Sequence, residues 1–156
     1  MVRYLVKCPF CPKTFDSPVK YLIKLATAKL IEHLEQNHLD AVEEWYNEHP
    51  KAFRYIKREC IKPFKQAMAV IFTAGGERIR VEKRYEKALR EAKTVTELIR
   101  TLDRIAENSK SKKGEFNPKE YANFVQANTL RRWIFSYFLR KSGNIVVERE
   151  QNPQGG

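Results

Sequence analysis

Four side chains in the first forty residues have the chemistry and spacing of a metal site. Cys8 and Cys11 bracket the turn Cys8-Pro9-Phe10-Cys11, and His33 and His38 lie downstream with four residues between them. A Cys-x-x-Cys turn aims two thiolates at one ion, and two histidines three to five residues apart on a helix supply the remaining corners of a tetrahedron. The set predicts one Zn2+ held by Cys8, Cys11, His33 and His38. Four protein ligands fill the shell, so the expected role is structural; a catalytic zinc keeps one position open for water. The third histidine, His49, reads as a solvated residue at a helix end. The third cysteine, Cys60, has apolar neighbours and reads as a small core residue. Three cysteines cannot all pair, which favours metal over disulfides and a reducing, intracellular setting, cytoplasmic or nuclear.

The elements that must position these ligands follow from local pattern. β-type residues flank the Cys-Pro-Phe-Cys turn between Val2 and Phe15, predicting a short hairpin. Ser17 and Pro18 then suit an N-cap and first helical position, and Tyr21, Leu22, Leu25, Ala28 and Ile31 or Leu30 recur at helical spacing towards Asn37. Five residues turn about 140° beyond a full turn of an ideal helix. The helix must therefore loosen or tighten near Asn37 for His33 and His38 to reach one ion.

Over residues 4 to 38 the chain resembles a two-cysteine, two-histidine zinc finger. Phe15 and Leu30 occupy the places of that family's aromatic after the second cysteine and leucine before the first histidine. The resemblance implies a ββα-like module. It departs in length, with 21 residues between Cys11 and His33 against the family's usual dozen or so, which predicts an extended helix. The family's base-contacting positions fall on Ala26, Lys29 and Glu32; only Lys29 suits guanine. The finger is thus expected to act as a folding staple or docking knob more than as a reader of sequence.

Charge separates this module from the rest of the chain. The net formal charge is +11, yet residues 1–50 hold six Lys/Arg against seven Asp/Glu, residues 51–93 thirteen against five, and residues 94–156 eleven against seven. Nucleic-acid affinity scales with the phosphates neutralised, so it should come from beyond residue 50. Ahead of that segment Asp40 can cap a helix that Pro50 stops or restarts, and beyond it Phe53, Ile56 and Cys60 form the apolar face of the next, which Pro63 should end or kink. Residues 67–72 suit a helix end or a strand, and residues 78–82 alternate like a strand. A helix from Val81 to Lys93 presents Lys83, Lys87 and Arg90 as one basic stripe. Thr94-Val95-Thr96-Glu97 has capping-box spacing ahead of a firmly periodic helix.

After the basic loop carrying Lys110, Lys112 and Lys113, the chain resembles a winged helix-turn-helix domain. The resemblance rests on Pro118-Lys119-Glu120-Tyr121-Ala122, on Thr129-Leu130-Arg131-Arg132-Trp133-Ile134, and on Gly143-Asn144-Ile145-Val146-Val147. It implies a turn at Gln126-Ala127-Asn128, a close helix crossing at Ala122, and a wing strand near Ile145. Thr129, Arg131, Arg132 and Ser136 would then face the major groove while the loop lysines touch phosphates. The glycine usual in the turn is Gln126 here, and the spacing is short.

No Ser/His/Asp or Cys/His set remains once two histidines hold metal, and no glycine-rich phosphate loop is present, so an enzyme is not expected. Glu82 and Lys83 lack the second carboxylate of a metal-dependent nuclease. No apolar run would span a bilayer, and no secretory signal is evident. The expectation is a mainly α protein with small β elements (α+β), divided as a zinc module (1–40), a basic helical connection (41–93), the winged helix-turn-helix (94–150) and a frayed tail (151–156). It would bind nucleic acid, chiefly double-stranded DNA, as a transcriptional regulator. The alternative is an adaptor whose zinc module docks a protein.

Overall fold

β-branched and aromatic residues fill the N-terminal segment, and in the computed structural model they form a strand. The structure describes residues 2–17, 23–65, 70–72, 78–80, 83–109, 118–143 and 147–151. Over these the order is β1 (Val2–Lys7), β2 (Thr14–Ser17), α1 (Ile23–Asn37), α2 (Leu39–Glu48), α3 (Pro50–Lys65), β3 (Val70–Phe72), β4 (Arg78–Arg80), α4 (Lys83–Glu91), α5 (Val95–Asn108), α6 (Pro118–Ser142) and β5 (Val147–Gln151). The chain is mainly helical, as expected. None of its described helices is long and apolar enough to cross a membrane.

The chain forms two compact units, one of Met1–Val42 with Ile134–Gly156 and one of Glu43–Trp133. In the first, β1 and β2 are antiparallel with Lys7 opposite Thr14 and Tyr4 opposite Ser17, and α1 packs on both strands. Ser17 therefore ends a strand where the sequence suggests a helix cap, because its backbone is committed to pairing with Tyr4. The other edge of β1 is covered by β5, with Val6 opposite Val147 and Val2 opposite Gln151. Pairing both edges of β1 removes the open edge that a two-stranded hairpin would present. The strand expected as a wing of the C-terminal segment thus joins the N-terminal hairpin instead, and residues 144–146, including Ile145, lie outside the described residues. Val6, Leu30 and Leu34 are fully buried in this unit.

In the second unit α3 packs on α4 and α4 on α5. Ile56 and Cys60 of α3, Leu89 of α4 and Leu98 and Leu102 of α5 are completely buried. Burying one such leucine contributes about 1.5 to 3 kcal/mol. Phe64 and Tyr85 meet edge to face at 6.1 Å between α3 and α4. Lys57 Nζ donates to the Ala92 carbonyl at 2.6 Å, just beyond α4, and satisfies a C-terminal acceptor with a cation. Burial lowers the Lys57 pKa, and the charge of Arg90 adds to this, against a smaller opposing effect of Glu97. The capping box forms with a shift of one residue: Thr94 Oγ1 accepts from Glu97 N at 3.2 Å, while Glu97 Oε2 accepts from Lys93 N at 2.6 Å. Pro63 lies within the last turn of α3, which runs on to Lys65.

The expected turn at Gln126-Ala127-Asn128 is helix. Residues 118–142 form one continuous α6, and the helix-turn-helix arrangement is therefore absent. The physical reasons are local. None of the three residues is glycine or proline, Ala127 is fully buried, and the Asn128 side chain donates to the Phe124 carbonyl one turn back. Ala122 is exposed and makes no close helix crossing.

Candidate metal centre

β1 delivers Cys8 at its end, where the Cys8 amide donates to the Lys13 carbonyl at 3.0 Å and closes the loop to β2. The Phe10 amide points at Cys8 Sγ, 3.4 Å away, the kind of donor that stabilises a thiolate. Cys11 sits three residues on in the same loop. α1 carries His33 on its last turns, and His38 follows in the single non-helical residue between α1 and α2. The helix loosens where the geometry requires it. The His38 amide still donates to the Leu34 carbonyl at 2.9 Å, and its own carbonyl accepts from Val42 N at 3.2 Å, so one residue both ends α1 and opens α2.

The four ligand atoms of Cys8, Cys11, His33 and His38 all lie within 4.8 Å of one another. Cys11 Sγ and His33 Nε2 are 3.2 Å apart, and so are His33 Nε2 and His38 Nε2. Tetrahedral bonds of about 2.3 Å to sulfur and about 2.0 Å to nitrogen place such atoms roughly 3.3 to 3.8 Å apart. The donor set fits one metal ion with small adjustments.

Electrostatics agrees with that donor set. Burial lowers the His33 pKa, and the nearby His38 and Lys13 lower it further, so the ring stays neutral and able to ligate. Burial raises the Cys8 thiol, partly offset by the Phe10 amide. A bound cation reverses that penalty by stabilising the thiolate.

Three supporting residues escape a reading of the ligands alone. Asn37 Nδ2 donates to the His33 carbonyl at 3.1 Å and lies 3.2 Å from His33 Nδ1, the ring nitrogen other than the Nε2 that meets Cys11 and His38. Its spacing of four residues from His33 was the available signal. Phe15 packs its ring 5.7 Å from that of His33, as the zinc-finger pattern implies. Phe10, on the Cys-Cys turn, lies 5.5 Å from the His38 ring and stacks on Phe138. Nothing in the local sequence links Phe10 to Phe138.

The base-contacting positions of a finger are not all available. Ala26 is 2% exposed, leaving Lys29 and Glu32 on the surface. His49 is exposed, with Nδ1 2.7 Å from the Trp45 carbonyl and its ring stacked on Trp45. Cys60 is buried as expected, and burial pushes its thiol up to about 12.

Arg131 Nη1 donates to Asp103 at 2.7 Å and its Nη2 to Asn128 at 3.2 Å, so it braces α5 against α6. Thr129 and Arg132 are exposed and Ser136 is half-buried. Arg90 donates twice to Glu86, at 3.1 and 2.8 Å, and Lys87 lies 3.9 Å from Glu91. The α4 stripe is therefore partly neutralised by acids of its own helix, which a stripe drawn from its cations alone overlooks. Lys83 begins α4, but its side chain is outside the described residues, as are Lys110, Lys112 and Lys113. No protein-family model, curated protein or solved structure matches the chain.

Proposed function

We propose that Cys8, Cys11, His33 and His38 hold one structural Zn2+ in a protein whose basic residues beyond the zinc module bind nucleic acid. The observation that carries the metal assignment is the convergence of two thiols and two imidazoles within 4.8 Å. Four protein donors leave no position for substrate water, and Cys2His2 donor chemistry favours zinc over calcium or magnesium, which take oxygen ligands. The zinc ties the β1–β2 loop to the α1–α2 junction. Bound Co2+ tests the assignment: a tetrahedral thiolate complex absorbs in the visible, bleaches when Zn2+ is added, and is lost in Cys11→Ser.

The nucleic-acid part rests on the net charge of +11, all of it beyond residue 50. With α6 continuous, it proceeds without helix-turn-helix readout, so phosphate contact dominates and sequence preference is weak. Binding that falls steeply with salt supports it; a flat salt dependence speaks against it. An adaptor role is the second reading, favoured by Tyr121 and Val125, which stand 54% and 42% exposed one turn apart on α6.

A further inference from the structure

We propose that the solvent face of α3, formed by Lys51, Arg54, Tyr55, Arg58 and Lys62, binds single-stranded nucleic acid. The four cations would hold successive phosphates and the Tyr55 ring would stack a base. This rests on the nucleic-acid reading above and gives it a site and a ligand class.

At 100° per residue these five positions fall within an arc of about 100° and run along about 16 Å of helix. All five are exposed. α3 contains six Lys/Arg and one acid, Glu59, which bonds Lys62 at 2.9 Å and lies 4.0 Å from Arg58 Nε. Among the described residues Lys51 and Arg54 meet no acid. This distinguishes these two residues of α3 from Lys87 and Arg90 on α4 and from Arg131 on α6, each of which is matched by a nearby carboxylate.

The aromatic ring decides which polyanion the stripe suits. Tyr55 is 38% exposed midway along it, with the Arg58 guanidinium 5.7 Å from its centroid and the Trp133 ring at 6.1 Å. A ring set among cations offers stacking to an unpaired base, whereas the bases of a duplex are already stacked on one another. An anionic membrane surface is less suited. The apolar face of α3, with Ile56, Cys60 and Phe64, is buried in the core and has nothing to insert into lipid.

The test is fluorescence anisotropy of labelled mixed-sequence 12-nucleotide DNA and RNA strands and their duplexes with the full zinc-loaded chain, beside sedimentation with phosphatidylserine vesicles. Single strands should bind tighter than duplex or vesicles. Arg54→Gln with Arg58→Gln should reduce the slope of log affinity against log salt by about 1.4, at about 0.7 per phosphate contact. Tyr55→Leu, which keeps the bulk, should weaken single-strand binding about tenfold, and Tyr55→Trp should restore it. Arg100→Gln with Arg104→Gln removes equal exposed charge from α5 and should alter the slope less. If both double variants act alike, or if Tyr55→Leu binds normally, the α3 site is overturned while the nucleic-acid reading stands. Preference for duplex or vesicles overturns the ligand class. Absence of binding to every nucleic acid at low salt overturns both readings.

Discussion

Phe10 stacks on Phe138, with ring centroids 5.8 Å apart and planes inclined by 13°. Phe10 belongs to the Cys8–Cys11 turn and Phe138 to the far end of α6, so the chemistry of the N-terminal metal cluster is linked to the C-terminal helix. Phe10→Ala should lower stability by about 0.5 to 1.5 kcal/mol, the range of an aromatic pair, while leaving metal stoichiometry unchanged. Denaturant midpoints and metal content of the purified variant check both halves.

Arg131 and Asp103 form an ion pair between α6 and α5, with Nη1 and Oδ1 2.7 Å apart. Because the pair is partly open to solvent, Arg131→Ala and Asp103→Ala should each cost no more than about 1 kcal/mol, and the double variant little beyond either single one. A double-mutant cycle on unfolding measures the coupling. A loss of nucleic-acid affinity in Arg131→Ala much larger than in Arg100→Ala would contradict the structural role.

Cys60 should resist alkylation in the native state. Its thiol is fully buried and its pKa is pushed up to about 12, so almost no thiolate is present at neutral pH. Thiol titration of zinc-loaded protein should find no reactive cysteine. Chelation should release Cys8 and Cys11 first, and denaturant should then expose Cys60.

Acid should weaken the N-terminal unit. His33 has its folded pKa depressed below the ordinary 6.5, so below that value the unfolded chain binds more protons than the folded one. The resulting stability is complete above pH 6.5 and declines as pH falls towards the folded value. Metal coordination acts in the same direction, since protons compete for the thiolates and imidazoles. Chemical unfolding at pH 7.5 and 5.5 should show lower stability at the acid pH, and a His33→Asn variant should lose part of that dependence.

What the sequence made legible was local. Cys8 and Cys11 lie in one turn, His33 and His38 at one helix end, and Thr94 caps α5 within four residues, so spacing alone revealed them. The interruption at His38 followed from helix geometry. The continuity of α6 is hidden because burial along its first half does not follow polarity: Tyr121 and Val125 are exposed and Asn123 is buried, while Ala127 and Leu130 are buried. The phase of its apolar pattern therefore gives no guide to its continuity. The partner of β5 was hidden for another reason. Val147-Glu148-Arg149-Glu150-Gln151 is largely polar and pairs with the opposite end of the chain, a non-local contact that no window of sequence contains. The acids that answer Lys87 and Arg90 sit one turn away at Glu91 and Glu86 and were in plain view.

The central claim is that one zinc ion occupies the Cys2His2 cluster and holds its unit together. The most direct measurement is zinc content per chain by elemental analysis, with thermal unfolding before and after a strong chelator, for the native sequence and for Cys8→Ser. The account predicts one zinc per chain, a marked drop in melting temperature on chelation, and a Cys8→Ser protein that binds less zinc and melts lower. A chain with no stoichiometric zinc, or one whose melting temperature neither chelator nor Cys8→Ser alters, would contradict it.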